Sequence, residues 1–497
     1  MIPGSRRVRV VVVGYGMAAA RFAEEVREHD PGARRVALTI LGAEPHVAYN
    51  RVLLSSVLAG HLGPDDVRLH GDDWGRAHQV EIQRDTPVVA LRRDRCEVEL
   101  AGGSVLGYDH LVLATGSRAY LPPVDGLGEP GGGQAPGTAR LRTVDDCRRI
   151  LAAAPDAQIV VLGGGLLGVE AARGLAGRGA RVTVAHPAAH LMERQLDAGA
   201  ARTLLRRLRG LGIDVRLGAV AARWTPGDGL KLDDGTTLPC DLMVVAAGVR
   251  PETALAVSAG LRADRGVLVD DRLTTSDPRI RAIGDCSQHG GAVAGLVQPA
   301  WEQAAVLAAL LTGADPAARY RGTPTVTRLK AHGIELAAMG DPGADDDETT
   351  EMLRFDDPSR GRYAKLALRD DRVTGAVMLG MPDAAAVVTQ LFDAGARAPA
   401  DRLALLLGRA LPRQGPPGDA GEVASLPANA IVCRCNTVTK GALAAAWDRG
   451  ARSVRDLVTA TRATTGCGGC RDGITGLAAW LTDAGNGQHT AGAEVMV

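Results

Sequence analysis

One pattern occurs twice in this chain and limits its fold more than anything else. Arg9-Val10-Val11-Val12-Val13 runs into Gly14-Tyr15-Gly16-Met17-Ala18-Ala19, followed by a helical pattern to about Glu28. Ile159-Val160-Val161-Leu162 runs into Gly163-Gly164-Gly165-Leu166-Leu167-Gly168, followed by a helical pattern to about Arg178. A second β-branched strand follows each, near 36–41 and 181–185. Strand, glycine-rich turn, helix and strand form the unit of a parallel sheet, so the repeat predicts an α/β chain with two such domains. The 497 residues are 46% apolar, enough for several cores and too apolar for a mainly disordered protein. Lys+Arg and Asp+Glu are both 57, and this balance argues against a nucleic-acid partner. No apolar run reaches the roughly 18 residues of a membrane helix. The N-terminal stretch lacks the long apolar segment and cleavage site of a signal peptide. A soluble cytoplasmic protein without a membrane partner is expected.

The glycines have a chemical reading. Gly14 permits a tight turn, Gly16 lets the backbone approach a pyrophosphate, and Ala19 allows close helix–strand packing. The helix N-terminus offers free N–H donors and partial positive charge to phosphates. Glu44, just past the second strand, is the acid expected to take ribose hydroxyls. Gly163, Gly165 and Gly168 complete the same motif in the same context. Two dinucleotide sites are expected.

Further segments carry a resemblance. Glu44-Pro45-His46-Val47-Ala48-Tyr49-Asn50-Arg51 through Ser56, Ala114-Thr115-Gly116-Ser117-Arg118, and Thr275 with Arg281-Ala282-Ile283-Gly284-Asp285 resemble the FAD/NAD(P) oxidoreductases with two dinucleotide domains, over about residues 8–315. The resemblance implies two Rossmann-like domains of the glutathione-reductase type. It implies FAD at the first site, with Glu44 on the adenosine ribose, Arg51 near the pyrophosphate or flavin, and Asp285 on the ribityl chain. Val88, Thr115 and Gly116 join that set. It implies NAD(P)H at the second site, with Leu167 in the turn, Glu170 toward the nicotinamide carboxamide and Gly248, in Ala247–Pro251, beside the nicotinamide. Hydride transfer is flavin-mediated, and no protein acid or base is expected to be catalytic. Ser56 departs from related ferredoxin reductases, which carry Lys there. No Cys-x4-Cys and no lone Cys follows Glu44, so no redox thiol is expected at the flavin.

Single residues keep plainer readings. Glu170 also reads as an exposed acid favoured by the helix dipole. Tyr49 reads equally as a packed aromatic, and Cys286 as a small core residue. His186 holds the position where an acid would select NAD and a basic group NADP. It gives neither signal, and the reading leans to NADH.

Of the eight cysteines, Cys433, Cys435, Cys467 and Cys470 cluster near the end. Four thiolates can hold a [2Fe–2S] cluster or Zn²⁺. Cys-x-Cys is unusual for zinc, Gly466, Gly468 and Gly469 let backbone amides approach sulfur, and an electron relay beside a flavin makes functional sense. The reading therefore favours [2Fe–2S]. Ile431–Lys440 with Ala463–Cys470 resembles the bacterioferritin-associated-ferredoxin-like domain, a small helical [2Fe–2S] module, over about 429–484.

The expected organisation is an FAD domain at 1–121 and 245–320 and an NAD(P) domain at 122–244. A small α+β third domain of interface type follows at 321–410. A linker occupies 411–428, the cluster domain 429–484 and a frayed tail 485–497. This order resembles the N-terminal half of the assimilatory nitrite reductase large subunit and the electron-transfer subunit of assimilatory nitrate reductase. No further cysteine follows Cys470. The resemblance therefore implies electron delivery to a nitrate or nitrite reductase catalytic polypeptide. A small electron carrier such as a rubredoxin or ferredoxin is an alternative acceptor. A flavin subunit of an amine or amino-acid dehydrogenase is another reading, which the second glycine motif argues against. An iron-sensing binding protein would leave both nucleotide motifs unexplained. Homo-oligomerisation is a further expectation.

Overall fold

A computed structural model describes residues 6–128, 133–152, 156–341, 349–407, 423 and 426–490. The chain divides into two units, Met1–Pro187 with Ala219–Thr325, and Ala188–Gly218 with Val326–Val497. Among the described residues no helix is long and apolar enough to cross a membrane.

The first unit carries both glycine-turn motifs. Its elements begin with β1 (Val8–Val13), α1 (Met17–His29), β2 (Val36–Leu41), β3 (Val80–Gln83) and β4 (His110–Leu113). They continue with β5 (Thr138–Arg140), α2 (Val144–Leu151), β6 (Gln158–Leu162), α3 (Leu166–Gly177) and β7 (Arg181–His186). β8 (Leu242–Val245), β9 (Ile280–Ala282) and α4 (Val297–Thr312) follow, among further short strands and turns. One parallel sheet runs β9-β4-β1-β2-β3. The second runs, within this unit, β7-β6-β8-β5, also parallel. The uninterrupted valines of β1 follow from burial on both faces. Val10 and Val12 pack with Phe22 and Val26 of α1 and Leu307 of α4. Val11 and Val13 face Tyr108, Leu111 and Leu113 on the other side. Each such burial contributes about 1.5–3 kcal/mol. In each sheet the glycine-bearing strand lies between neighbours reached in opposite directions. The crevice beyond the strands' carboxyl ends is where ligands bind in such sheets.

The second unit holds a five-stranded antiparallel sheet and the cysteine module. β10 (Val326–Arg328), β11 (Leu336–Gly340), β12 (Glu351–Asp357), β13 (Arg362–Arg369) and β14 (Arg372–Leu379) pair in the order β10-β11-β14-β13-β12. α5 (Pro382–Ala394) lays Ala384, Val388 and Leu391 on Leu366, Ala376 and Met378 of that sheet. Tyr363 of β13 donates to Asp197, whose carboxylate also caps the helix Ala198–Gly210. The module is a hairpin of β15 (Ile431–Cys433) and β16 (Val438–Thr439) followed by α6 (Lys440–Asp448), α7 (Val454–Thr461) and α8 (Arg471–Thr490). Leu443, Leu457, Ile474 and Leu477 form its buried interior.

Two expectations change here. α8 continues through Gly485 and Gly487 to Thr490, where a frayed tail was expected from 485. Each glycine costs about 1 kcal/mol in a helix and is tolerated within a long one. The sequence pattern also predicts a helix near 400–410; the structure forms a single turn there, Leu403–Leu406, and 408–410 lie outside the described residues. Most of the linker 411–428, the acidic stretch 342–348 and residues 491–497 also lie outside them.

Candidate functional site

The first crevice is shaped by backbone. Gly14 has φ +107°, and a Cβ there would lie 2.3 Å from the Ala114 carbonyl oxygen. Gly14 is therefore required by the protein itself. Gly16 differs, because its φ is −96° and a Cβ there would meet no protein atom within 4 Å. Neither strain nor internal packing explains this glycine. Ala19, fully buried, packs α1 against the sheet.

Side chains complete the crevice from distant parts of the chain. Glu44 accepts from Tyr49 Oη at 2.7 Å and forms a close ion pair with Arg51. Arg51 also donates to the Arg142 carbonyl oxygen at 3.2 Å. The Arg142 guanidinium donates to Asp285 at 3.2 Å, and to the Ser117 carbonyl and hydroxyl oxygens at 2.9 and 2.7 Å. Ser117 Oγ in turn donates to Asp285 at 2.8 Å. Two arginines thus lie between the two acids singled out from the sequence. Burial lowers the Arg142 guanidinium from its ordinary value, with Asp285 opposing. Burial pushes the Tyr49 hydroxyl up, so it stays a donor to Glu44. Thr115 Oγ1 donates to the Glu252 carbonyl oxygen at 2.8 Å, and Gly116 turns the chain at φ +72°. Val88 is placed differently: its side chain packs against the core around Leu91 and Val98. Cys286 is a buried core residue, as its plainer reading had it.

The second crevice repeats the backbone and changes the side chains. Gly163 has φ +120°, and a Cβ there would lie 2.4 Å from the Ala246 carbonyl oxygen. A Cβ on Gly165 would meet nothing within 4 Å, whereas one on Gly168 would lie 1.9 Å from the Gly163 carbonyl oxygen. Leu167 is half-buried in the first turn of α3. Glu170 is 3% exposed. That overturns its reading as an exposed helix acid: the packed turn at Gly168 draws this face of α3 into the core. His186, also buried, turns back into the fold, and its Nδ1 accepts the Gly164 amide at 3.1 Å. Gly248, at φ +102°, accepts the Tyr120 amide at 2.9 Å. It opens a two-stranded ribbon in which Val249, Arg250 and Pro251 pair with Ala119, Arg118 and Ser117. The ribbon sets Gly248 opposite Tyr120 and Pro251 opposite Ser117.

In the module, Cys433 and Cys435 lie in the hairpin and Cys467 and Cys470 in the loop before α8. Cys435 Sγ is 3.5 Å from Cys467 Sγ and accepts the Cys467 amide at 3.3 Å. Asn436 Nδ2 donates to Cys433 Sγ at 3.6 Å and to the Arg462 carbonyl oxygen at 2.6 Å. Hydrogen bonds from Cys435 and Cys470 hold the Cys433 thiol below its ordinary value. The bond from Cys435 does the same for Cys467, with the Gly469 amide and the Lys330 charge adding to it. Among the described residues no three His, Cys, Asp or Glu side chains surround a single-ion centre. The module brings its four cysteine thiols into one group, with Cys433 and Cys435 in the hairpin facing Cys467 and Cys470 in the loop. Four thiolates are the donor set of a [2Fe–2S] cluster, so these residues fit one. Left-handed backbone at Thr437, Arg462 and Thr464 (φ +53°, +58° and +69°) makes the sharp bends that join the loops.

Sequence reasoning missed Arg142 and Ser117 as crevice residues. One local signal pointed to the first. Arg142 immediately precedes a capping box, in which Thr143 and Asp146 bond each other's backbone at the start of α2. Asp146 also accepts the Arg142 amide at 3.1 Å.

Comparison with known proteins matches residues 8–304 to the family described as pyridine nucleotide-disulphide oxidoreductase. Residues 325–392 match the rubredoxin NAD+ reductase C-terminal domain, and 431–480 the BFD-like [2Fe-2S] binding domain. The assimilatory nitrate reductase electron transfer subunit of Bacillus subtilis is 34% identical over 96% of this chain and 60% of its own length. The nitrite reductase [NAD(P)H] of the same organism is 34% identical over 93% of this chain and 56% of its own length. This chain therefore spans less than two thirds of either relative. Among solved structures, the ferredoxin reductase for the CYP199A2 system from Rhodopseudomonas palustris is 27% identical with a TM-score of 0.67, covering 75% of this chain and 91% of its own. The covalent putidaredoxin reductase–putidaredoxin complex is 27% identical with a TM-score of 0.70, covering 81% and 96%. The chain thus belongs to the pyridine nucleotide-disulphide oxidoreductase family and also carries a BFD-like [2Fe–2S] domain.

Proposed function

We propose that this protein takes electrons from NAD(P)H and delivers them, through FAD and a [2Fe–2S] cluster, to a nitrate or nitrite reductase catalytic polypeptide. The observation that carries the reading is the presence on one chain of two dinucleotide crevices and a four-thiol site. When bound, FAD accepts a hydride from NAD(P)H and releases electrons one at a time, which suits a one-electron cluster. The printed names of the two Bacillus subtilis relatives support the choice of partner.

In this reading Gly14, Gly16 and Ala19 shape the turn that receives the FAD pyrophosphate, and Glu44 holds the adenosine ribose. Arg51 and Arg142 would supply positive charge to the cofactor's phosphates and flavin. Asp285, oriented by Ser117, takes the ribityl hydroxyls. Val88, Thr115 and Gly116 border the same cofactor through backbone. Gly163, Gly165, Leu167 and Gly168 receive NAD(P)H, while His186 keeps the turn in shape through the Gly164 amide. Glu170 and Gly248 meet the nicotinamide end. Cys433, Cys435, Cys467 and Cys470 hold the cluster.

Anaerobic titration of the purified protein with NADH, then NADPH, tests the reading by visible absorbance and low-temperature EPR. Flavin bleaching followed by a cluster signal is expected. Bleaching with zinc, and neither iron nor sulfide, in the module would overturn the relay. Full electron delivery to a nitrate or nitrite reductase by the Cys467→Ser and Cys470→Ser variants would do the same.

A further inference from the structure

One cysteine loop is bonded to a side chain of the five-stranded domain, and a second side chain of that domain approaches the other loop. Arg434 stands between Cys433 and Cys435. Its Nε donates to the two carboxylate oxygens of Asp393 at 2.8 and 2.9 Å, and its Nη2 lies 2.8 Å from Oδ1. The side chains of the pair are only 17% and 11% exposed. On the other loop, Gly469 stands between Cys467 and Cys470. The position its Cβ would occupy is 4.0 Å from Cδ of Arg328, on β10.

The place of Asp393 is itself informative. It is the penultimate residue of α5, and that helix has no basic residue in its last turn. A carboxylate at the negative end of a helix dipole is disfavoured. Removal from solvent adds to that cost unless a cation answers it. Arg434 answers it with the planar fork that suits a carboxylate.

We propose that the five-stranded domain is the dock of the cluster module: Asp393 clamps the Cys433–Cys435 loop through Arg434, and Arg328 lies beside the Cys467–Cys470 loop. The clamp both orders the loops and sets the charge beside the cluster. It rests on the cluster reading only for the second effect.

The test uses the full-length holoprotein with Asp393→Asn, Arg434→Gln and the double variant. Hydrogen exchange of 431–440 and 462–470 should rise about tenfold in each single variant, with no further rise in the double. EPR-monitored redox titration supplies a sign. Asp393→Asn leaves Arg434 unneutralised and should raise the cluster's midpoint potential, while Arg434→Gln leaves Asp393 unneutralised and should lower it. An about tenfold change in the reduced-to-oxidised ratio corresponds to about 59 mV each way. Unchanged exchange in both single variants, additive effects in the double, or shifts of the same sign would overturn the clamp. If Asp393→Asn also exposes β11–β14, Arg434→Gln, which leaves the sheet intact, decides. Iron and sulfide content of the same samples tests the cluster reading separately, and zinc in their place would leave the clamp to be judged on exchange.

Discussion

The two dinucleotide crevices share a backbone and differ in what closes them. Gly14 and Gly163 both take positive φ beneath a carbonyl oxygen of the adjacent strand's end, and Gly16 and Gly165 both leave open space. Beyond that they part. Ala19 accommodates its methyl group, whereas Gly168 has a carbonyl oxygen in that place. At the end of the second strand, Glu44 meets Tyr49 and Arg51, while His186 folds inward onto Gly164. The glycine pattern therefore specifies the backbone of the turn without specifying the side chains that close it. The residue after the second strand, and what that residue meets, makes the difference.

The largest expected effect comes from filling the open space. Gly16→Val should leave the apo-fold stable and lower FAD affinity by about a hundredfold or more, read as lost flavin absorbance. Gly165→Val should keep flavin and raise KM for NAD(P)H by a similar factor. Flavin retained at full occupancy in the first variant would mean that the space serves no ligand. Next comes the third small residue. Gly168→Ala should destabilise by about 1–3 kcal/mol through overpacking, and Ala19→Gly by about 1 kcal/mol through helix propensity. Equal costs by thermal or urea unfolding would erase the difference drawn between the two turns.

A third contrast concerns acid. The Arg34, Arg35 and Val36 amides, leading into β2, all donate to Asp30 at 3.0 Å. The corresponding turn before β7, Arg178-Gly179-Ala180, contains no acid. Burial raises the Asp30 carboxyl, but those amides and Arg27 outweigh it and hold the group below its ordinary value. Its stabilisation is therefore complete above the unfolded value of about 3.9 and is lost as pH falls through the lower folded value. Asp30→Asn should cost about 1–3 kcal/mol at neutral pH and less as pH drops below about 4. Urea unfolding from pH 3 to 7 measures this, and a cost independent of pH would refute it. The smallest effect is His186→Ala, which removes the acceptor of the Gly164 amide. It should raise KM for NAD(P)H roughly three- to tenfold, about 0.5–1.5 kcal/mol, with kcat nearly unchanged. An unchanged KM would mean that the turn holds itself.

Much of this was legible because it is local. A β-branched run, a glycine that must take positive φ and an apolar helical stripe are each written within a few residues. The valines of β1 and the turns at Gly14 and Gly163 follow accordingly from the order of residues alone. The four cysteines announced themselves by their spacing. Glu170 was harder, because position in a helix does not say which face the core will claim.

The sequence by itself determined the two strand–turn–helix units, the thiol set and the order of the parts, since these depend on short-range periodicity and residue chemistry. Only tertiary structure decided that Arg142, Ser117 and Asp285 converge, that His186 faces Gly164, and that Asp393 meets Arg434. Such pairings join residues tens to more than a hundred positions apart. Their energy depends on burial and on distances of about 3 Å, which exist only once the sheets have closed.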